Sequence, residues 1–273
     1  MNKIKFLKIY FFIFITLLAS GFSTSIEINK CPLSNEIVAS KVFQKTEVRL
    51  LIVDCESTLY SELCNLTTTY LIQEEIPYSI VKRKYDNLED IISSKFKTFD
   101  LLIISGSAKF FPYSEEVKNV AFLLNTIIEQ NKYAFGVCFG LQLLAYLLDS
   151  EEGKLLKKGS WDKDIKLDII KADSIFNNVG KKGDSFITRE YHYYSVLYPE
   201  KENLGQGKIL AKSKDGIEIL RIGNIIATQF HPESRYASPS AKRIFQNYLK
   251  DFISHYKSSK QKYTYLSYEQ SIN

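Results

Sequence analysis

The strongest constraint on the fold is a set of short segments that are apolar at consecutive positions. Val48-Arg-Leu-Leu-Ile-Val-Asp54 is one, Phe99-Asp-Leu-Leu-Ile-Ile-Ser-Gly106 a second, and Tyr133-Ala-Phe-Gly-Val137 a third. A strand with one wetted face alternates apolar and polar side chains. A strand buried on both faces reads as an unbroken apolar run, as in parallel sheets. Tyr78-Ser-Ile-Val81 fits a further short strand. Between these runs, residues 61–75, 117–129 and 141–148 carry apolar side chains at helical spacing. Strands alternating with helices predict an α/β fold: a doubly wound, mostly parallel sheet with helices on both faces.

After Gly153 the texture changes to shorter segments at 166–170, 185–189, 208–211, 218–222 and 225–230. Asp215-Gly216 and Gly223-Asn224 stand between the later ones, as hairpins require, so a small antiparallel section is expected beside the parallel sheet. A helix over about 240–256 closes a domain that spans 47–256. Residues 257–273 are polar and rich in Ser, Lys and Tyr, and predict a frayed tail. Residues 24–46 are polar and mixed, and read as a linker or arm.

The N-terminus departs from globular texture. A basic start, Met-Asn-Lys-Ile-Lys, leads into Ile9-Tyr-Phe-Phe-Ile-Phe-Ile-Thr-Leu-Leu-Ala19 and then small residues near Ser20, Gly21 and Ser23. That is the layout of a secretory signal peptide over 1–23, with an uncleaved membrane anchor as the alternative. The apolar core is shorter than the roughly 20 residues of a comfortable span. Export to a secreted, periplasmic or secretory-lumen location is therefore expected, with membrane attachment second. The overall charge of +5 includes Lys3, Lys5 and Lys8; without them the remainder carries +2. The other lysines are scattered rather than striped, so no nucleic-acid partner is expected.

Cys31, Cys55, Cys64 and Cys138 remain beyond that segment. An oxidising compartment would permit a disulfide among the first three, and burial as small hydrophobes is the equal alternative for Cys55 and Cys64. Their spacing matches no zinc pattern and the chain has only three His, so no metal is expected. Asn65-Leu-Thr67 is a glycosylation sequon, meaningful only in a eukaryotic secretory pathway.

Gly136-Val137-Cys138-Phe139-Gly140 lies where the fourth predicted strand meets a helix. Placed there, G-x-C-x-G has the mechanics of a nucleophile elbow: the glycines let the backbone turn sharply and leave the central side chain at the carboxyl edge of the sheet. The helix N-terminus supplies positive potential that favours a thiolate, and the Phe139 amide would point at a developing oxyanion. Taken alone, a buried structural Cys between two glycines is the competing reading.

A second element weighs against that reading. In Ile226-Ala-Thr-Gln-Phe-His231-Pro-Glu233, a His follows a late apolar strand and an acid stands two residues on. A Cys nucleophile needs a base in hydrogen-bond reach, and the base needs an orienting partner. Pro232 fixes the chain between His231 and Glu233, so both can converge on one side.

Around these motifs, residues from about 48 to 252 resemble the class I, triad-type glutamine amidotransferases, and within them the glutaminase domain of GMP synthetase. Leu50-Leu-Ile-Val-Asp-Cys-Glu-Ser57 is similar to the family's opening strand. Gly136-Val-Cys-Phe-Gly-Leu-Gln-Leu-Leu144 resembles the nucleophile motif, and Gln229-Phe-His-Pro-Glu233 the closing one. Tyr191-His-Tyr-Tyr-Ser-Val-Leu-Tyr-Pro199 resembles the segment that faces bound glutamine, and Ser213-Lys-Asp-Gly-Ile-Glu218 the hairpin before the closing strand.

The resemblance implies hydrolysis of a γ-glutamyl amide through a γ-glutamyl thioester on Cys138, with His231 as base and Glu233 holding the imidazole. No cofactor is implied. Gln142 corresponds to a residue that contacts substrate, with a plain polar position in the first helical turn as the alternative. His192, Tyr193 and Tyr194 are expected on the substrate side, His192 in a structural role. The family's oxyanion loop reads Gly-Gly-Pro-like, whereas this chain has Gly106-Ser107-Ala108. Ser107 can donate its backbone N–H only if its dihedrals are tolerated where Gly is usual. An ammonia-accepting synthase is expected, if at all, as a separate protein, and export favours a stand-alone hydrolase. The rival is a non-catalytic binding or regulatory module. The altered loop is its support, and the complete triad counts against it.

Overall fold

The computed structural model describes residues 38–39 and 47–272, apart from 95, 155, 160 and 200. The expected signal segment, most of the arm and Cys31 lie outside the described residues. Parallel pairings make the centre of the sheet. β2 (Val48–Asp54) lies between β3 (Tyr78–Lys84) and β4 (Leu101–Ile104), and β4 lies beside β5 (Tyr133–Val137). A two-residue strand, β1 (Val38–Ala39), joins the outer edge antiparallel to β3.

The apolar runs form these strands because both of their faces are covered. Leu51, Val53, Leu102, Ile104 and Ala134 share one buried cluster with Val120, Leu123 and Ile127 of α3 (Lys118–Glu129) and Leu141 and Leu144 of α4 (Phe139–Leu148). On the other face, Phe135 packs edge-on against Phe245 at 4.8 Å and meets Tyr248 at 5.2 Å, both from α5 (Pro239–Ile272). α1 (Tyr60–Gln73) buries Leu63, Cys64 and Leu71, and α2 (Glu89–Ser93) is a single short turn. The doubly wound α/β arrangement is thus the one the apolar runs predict. Cys55 and Cys64 are buried thiols.

The antiparallel section does not stand apart. β13 (Ile225–Thr228) enters parallel beside β5, pairing Thr228 with Val137. From it the same sheet continues antiparallel through β12 (Ile217–Ile222), β11 (Gly207–Lys212), β7 (Trp161–Ile169) and β8 (Ser185–Tyr191). β10 (Asn203–Leu204) pairs with β11, while β6 (Leu156–Lys158) and β9 (Tyr194–Val196) form a separate ladder. Gly223 closes the β12–β13 hairpin at φ +52°, a left-handed position that favours glycine.

Two boundaries differ from the sequence expectation. β7 begins at Trp161 rather than near 166, because residues 161–164 are exposed and meet β8 through its ladder and polar pairs such as Arg189–Asp162, leaving no hydropathy signal. The closing helix runs to Ile272, where a frayed tail is predicted from 257. That stretch contains neither Gly nor Pro, so its polarity supplies no backbone reason to leave the helix.

Candidate active site

β5 ends at Val137 and α4 begins at Phe139, so a single residue makes the turn between them. That residue is Cys138, at φ +51° and ψ −96°. A non-glycine residue there carries strain on the order of 1–3 kcal/mol, which the surroundings must offset. The Cys138 N–H donates to the Thr228 carbonyl at 2.7 Å, and its carbonyl accepts from Leu141 and Gln142 at 3.0 and 3.2 Å. Close packing requires the flanking glycines. A Cβ on Gly136 would lie 2.9 Å from the Gly140 backbone, and one on Gly140 would lie 3.3 Å from the Ile104 carbonyl. Phe139 is the first residue of α4, and its amide is among those the helix cannot satisfy itself.

Because β13 runs parallel to β5, the residues that follow it emerge at the same sheet edge as Cys138. His231 and Glu233 are buried, with Nδ1 of His231 2.7 Å from Glu233 Oε1. The other ring nitrogen is left for the thiol. Burial works against an imidazolium here, but the Glu233 carboxylate and the hydrogen-bonded Cys138 sulfur outweigh it, and the His231 pKa rises to about 10. The residues carry a proton-holding imidazole beside a sulfur nucleophile, which is the arrangement acyl transfer from an amide needs. Gln229 adds a contact that its motif position did not announce: its Nε2 lies 3.5 Å from Cys138 Sγ.

The departure at Gly106-Ser107-Ala108 resolves into a braced loop. Neither Gly106 nor Ser107 has positive φ, so Ser is tolerated at 107 without backbone strain. The Ser107 hydroxyl accepts from the Lys109 and Phe110 amides at 3.1 Å each, and the Ser105 hydroxyl donates to the Gly106 carbonyl at 2.9 Å. Ser105 also accepts from the Cys55 amide at 2.9 Å, tying the loop to the end of β2.

A cavity of about 450 Å³ opens over the thiol, within the roughly 300–1,000 Å³ usual for small-molecule sites. Cys138, His231, Ser107, His192 and Tyr193 line it, so five of the predicted site residues converge there. Gln142 and Tyr194 do not line it. Gln142 is buried and donates through Nε2 to the Tyr194 carbonyl at 2.7 Å, so it braces the β9 segment where substrate contact was expected. The Tyr194 ring turns toward Phe111, 5.3 Å away. Trp161, Tyr191 and Tyr236 also line the cavity, and Trp161 stacks on Tyr193 at 4.4 Å. Trp161, isolated in an exposed polar stretch, gave no sequence signal for this position.

The fold and site define an α/β protein with a thiol–imidazole–carboxylate triad on a strand-to-helix elbow. The profile of the family "Glutamine amidotransferase class-I" matches residues 51–252, and the chain belongs to that family. It is 24% identical over 167 residues to the GMP synthase [glutamine-hydrolyzing] of Anaplasma marginale, covering 58% of this chain and 30% of that one. It is 30% identical over 176 residues to the imidazole glycerol phosphate synthase subunit HisH of Thermotoga maritima, covering 57% of this chain and 82% of the relative. Among solved structures it resembles a GMP synthase subunit from Thermoplasma acidophilum, with a TM-score of 0.56 and 20% identity over 79% of this chain and 98% of that one. The glutaminase domain of a CTPS from Trypanosoma brucei gives a TM-score of 0.57 at 16% identity, covering 74% of this chain and 94% of that one. The chain thus spans under a third of the GMP synthase and, in a second pairing, 46% of a carbamoyl phosphate synthase small chain from Schizosaccharomyces pombe.

Proposed function

We propose that this protein hydrolyses a γ-glutamyl amide, either glutamine or a γ-glutamyl conjugate, through a thioester on Cys138. The observation that carries the proposal is the hydrogen-bonded Glu233–His231 pair, 2.7 Å apart and set against Cys138 at the same sheet edge. The Cys138 thiolate attacks the γ-carbonyl carbon and forms the S–C bond, and the carbonyl electrons move onto oxygen. In this reading the backbone amides of the Gly106-Ser107 loop and of Phe139 receive that oxyanion. As the C–N bond breaks, His231 passes its proton to the departing ammonia or amine. Water then attacks the thioester with His231 taking its proton, and glutamate leaves from sulfur. Glu233 holds the imidazole orientation throughout.

Released ammonia could pass to a separate synthase, a proposal supported by the subunit status of relatives such as the imidazole glycerol phosphate synthase subunit HisH. Action outside the cytosol is also part of the proposal. It rests on the basic-then-apolar layout of residues 1–23, and sequencing the N-terminus of the mature protein tests it.

A panel of glutamine and γ-glutamyl amides, assayed for ammonia or amine release, tests the activity. Turnover that disappears in Cys138→Ser is the expected result. Failure of folded protein to form a Cys138 adduct with a glutamine-like diazo-ketone would overturn it.

A further inference from the structure

Behind the cavity wall lies a group of ionisable side chains that the thioester chemistry does not use. Glu190 at the end of β8, His192 just beyond it and Glu218 on β12 are all buried, with ligand-type atoms within 4.8 Å of one another. β8 and β12 are not neighbours in the sheet order, so tertiary curvature alone makes them meet. His192 Nε2 lies 2.7 Å from Glu190 Oε2, its Nδ1 lies 3.3 Å from Ser195 Oγ, and the Ser213 hydroxyl donates to Glu218 Oε1 at 2.6 Å. One oxygen of each carboxylate, Glu190 Oε1 and Glu218 Oε2, is buried with no hydrogen-bond partner.

Two carboxylates brought together away from water cannot both ionise. Either a cation or a proton must lie between them. A tetrahedral zinc is disfavoured by the spacing: two of its ligands stand roughly 3.3 Å apart, whereas Glu190 and His192 are in direct hydrogen-bond contact at 2.7 Å. A proton fits without rearrangement. Burial first, and then the nearby Glu190, push the Glu218 carboxyl well above the ordinary carboxylate range.

We infer that Glu218 is a neutral acid donating its proton to Glu190, and that this shared proton, through the Glu190–His192 bond, holds the Tyr191–Tyr193 turn against the catalytic cavity. The consequence reaches the nucleophile from two sides. His192 and Tyr193 form part of the cavity wall with Cys138. On the other side, the Glu218 carbonyl accepts from the Gln229 amide at 2.9 Å, and the Gln229 side chain reaches Cys138 Sγ. Glu218 itself does not line the cavity, so it is a positioning residue. Its substitution is felt only through the groups it holds.

The relevance to turnover rests on the proposed function, but the tests do not. In infrared spectra at neutral pH, wild-type protein should show a protonated-carboxyl stretch that Glu218→Gln lacks. Gln at 218 supplies a neutral donor of the same shape, so Glu218→Gln should keep its fold and label Cys138 with a diazo-ketone within about twofold of the wild-type rate. Glu190→Gln leaves a single accepting oxygen and puts a donor where the second stood, so it cannot accept from both Glu218 and His192, and should slow that labelling at least tenfold while circular dichroism stays native. Where a donor is turned over, Glu190→Gln should raise KM more than it lowers kcat. The inference is overturned if no carboxyl band is lost in Glu218→Gln, or if Glu218→Gln labels as slowly as Glu190→Gln. Stoichiometric bound metal that Glu218→Gln removes would overturn it equally, in favour of a cation.

Discussion

A Cβ placed on Gly106 would lie 2.8 Å from Cε1 of His231 and 3.4 Å from Cβ of Cys138. The loop after β4 therefore approaches the base so closely that only hydrogen fits, and the oxyanion side of the site is packed against the proton-transfer side. Gly106 is needed for space and not for a left-handed backbone, since its φ is not positive.

Gly106→Ala should consequently displace the His231 ring. A shift on the order of 1 Å in a reacting group costs about 10²-fold in rate. A kcat loss near that size is expected, with substrate binding less affected. Steady-state kinetics on the preferred γ-glutamyl amide would check it, and unchanged kcat would show that the loop yields instead of the imidazole.

The His231 pKa of about 10 sets a pH signature. Its folded value lies above the ordinary 6.5, so stabilisation by the protonated ring is complete below about pH 6.5 and is lost as pH rises toward 10. The stability gap between wild type and His231→Gln, measured by urea unfolding, should therefore narrow across that window. In Glu233→Gln the carboxylate that raises the pKa is gone, so the alkaline limb of the kcat profile should move to lower pH.

Cys138 holds φ +51° and ψ −96°, a conformation natural to glycine. Cys138→Gly should abolish labelling and turnover yet raise stability by about 1 kcal/mol, from relief of backbone strain. Cys138→Ala keeps the strain and should not show that gain. Thermal unfolding of the two variants side by side distinguishes the effects.

Ser107 braces its loop through its hydroxyl, which accepts from two amides. Ser107→Ala and Ser107→Gly should both lose that bracing, costing about 0.5–1.5 kcal/mol and several-fold in kcat. If Ser107→Gly were instead more active than wild type, the backbone freedom usual in this family would matter more than the hydroxyl.

Gln142→Leu removes the bond to the Tyr194 carbonyl and leaves that acceptor without its donor, a loss of about 1–3 kcal/mol. Its kinetic effect should be indirect and uniform across donors, because Gln142 does not line the cavity. A loss confined to particular donors would return Gln142 to direct substrate contact.

The apolar runs of β2, β4 and β5 were legible because strands covered on both faces leave no polar residue in the pattern. The elbow was legible because G-x-C-x-G stood between such a run and a helix, and the pairing of His231 with Glu233 because a proline separates them. The sequence could not show Trp161 on the cavity lip or β7 starting at that residue, since the exposed start of a strand pairs through backbone groups common to every residue and carries no apolar pattern. Nor could it show that the helix after Pro239 continues through the polar stretch from 257.

By itself, then, the sequence determined the class of fold and picked out Cys138, His231 and Glu233 as one candidate site. Each of these rests on local chemistry or on periodicity within one segment. Tertiary structure alone decided that β13 lies beside β5, which brings His231 to Cys138 across more than ninety positions of chain. It also set the Gln142 amide against the Tyr194 carbonyl and gathered Glu190, His192 and Glu218 into one buried cluster. Those outcomes depend on which strands become neighbours and how the sheet curves, and no segment encodes that without its partners.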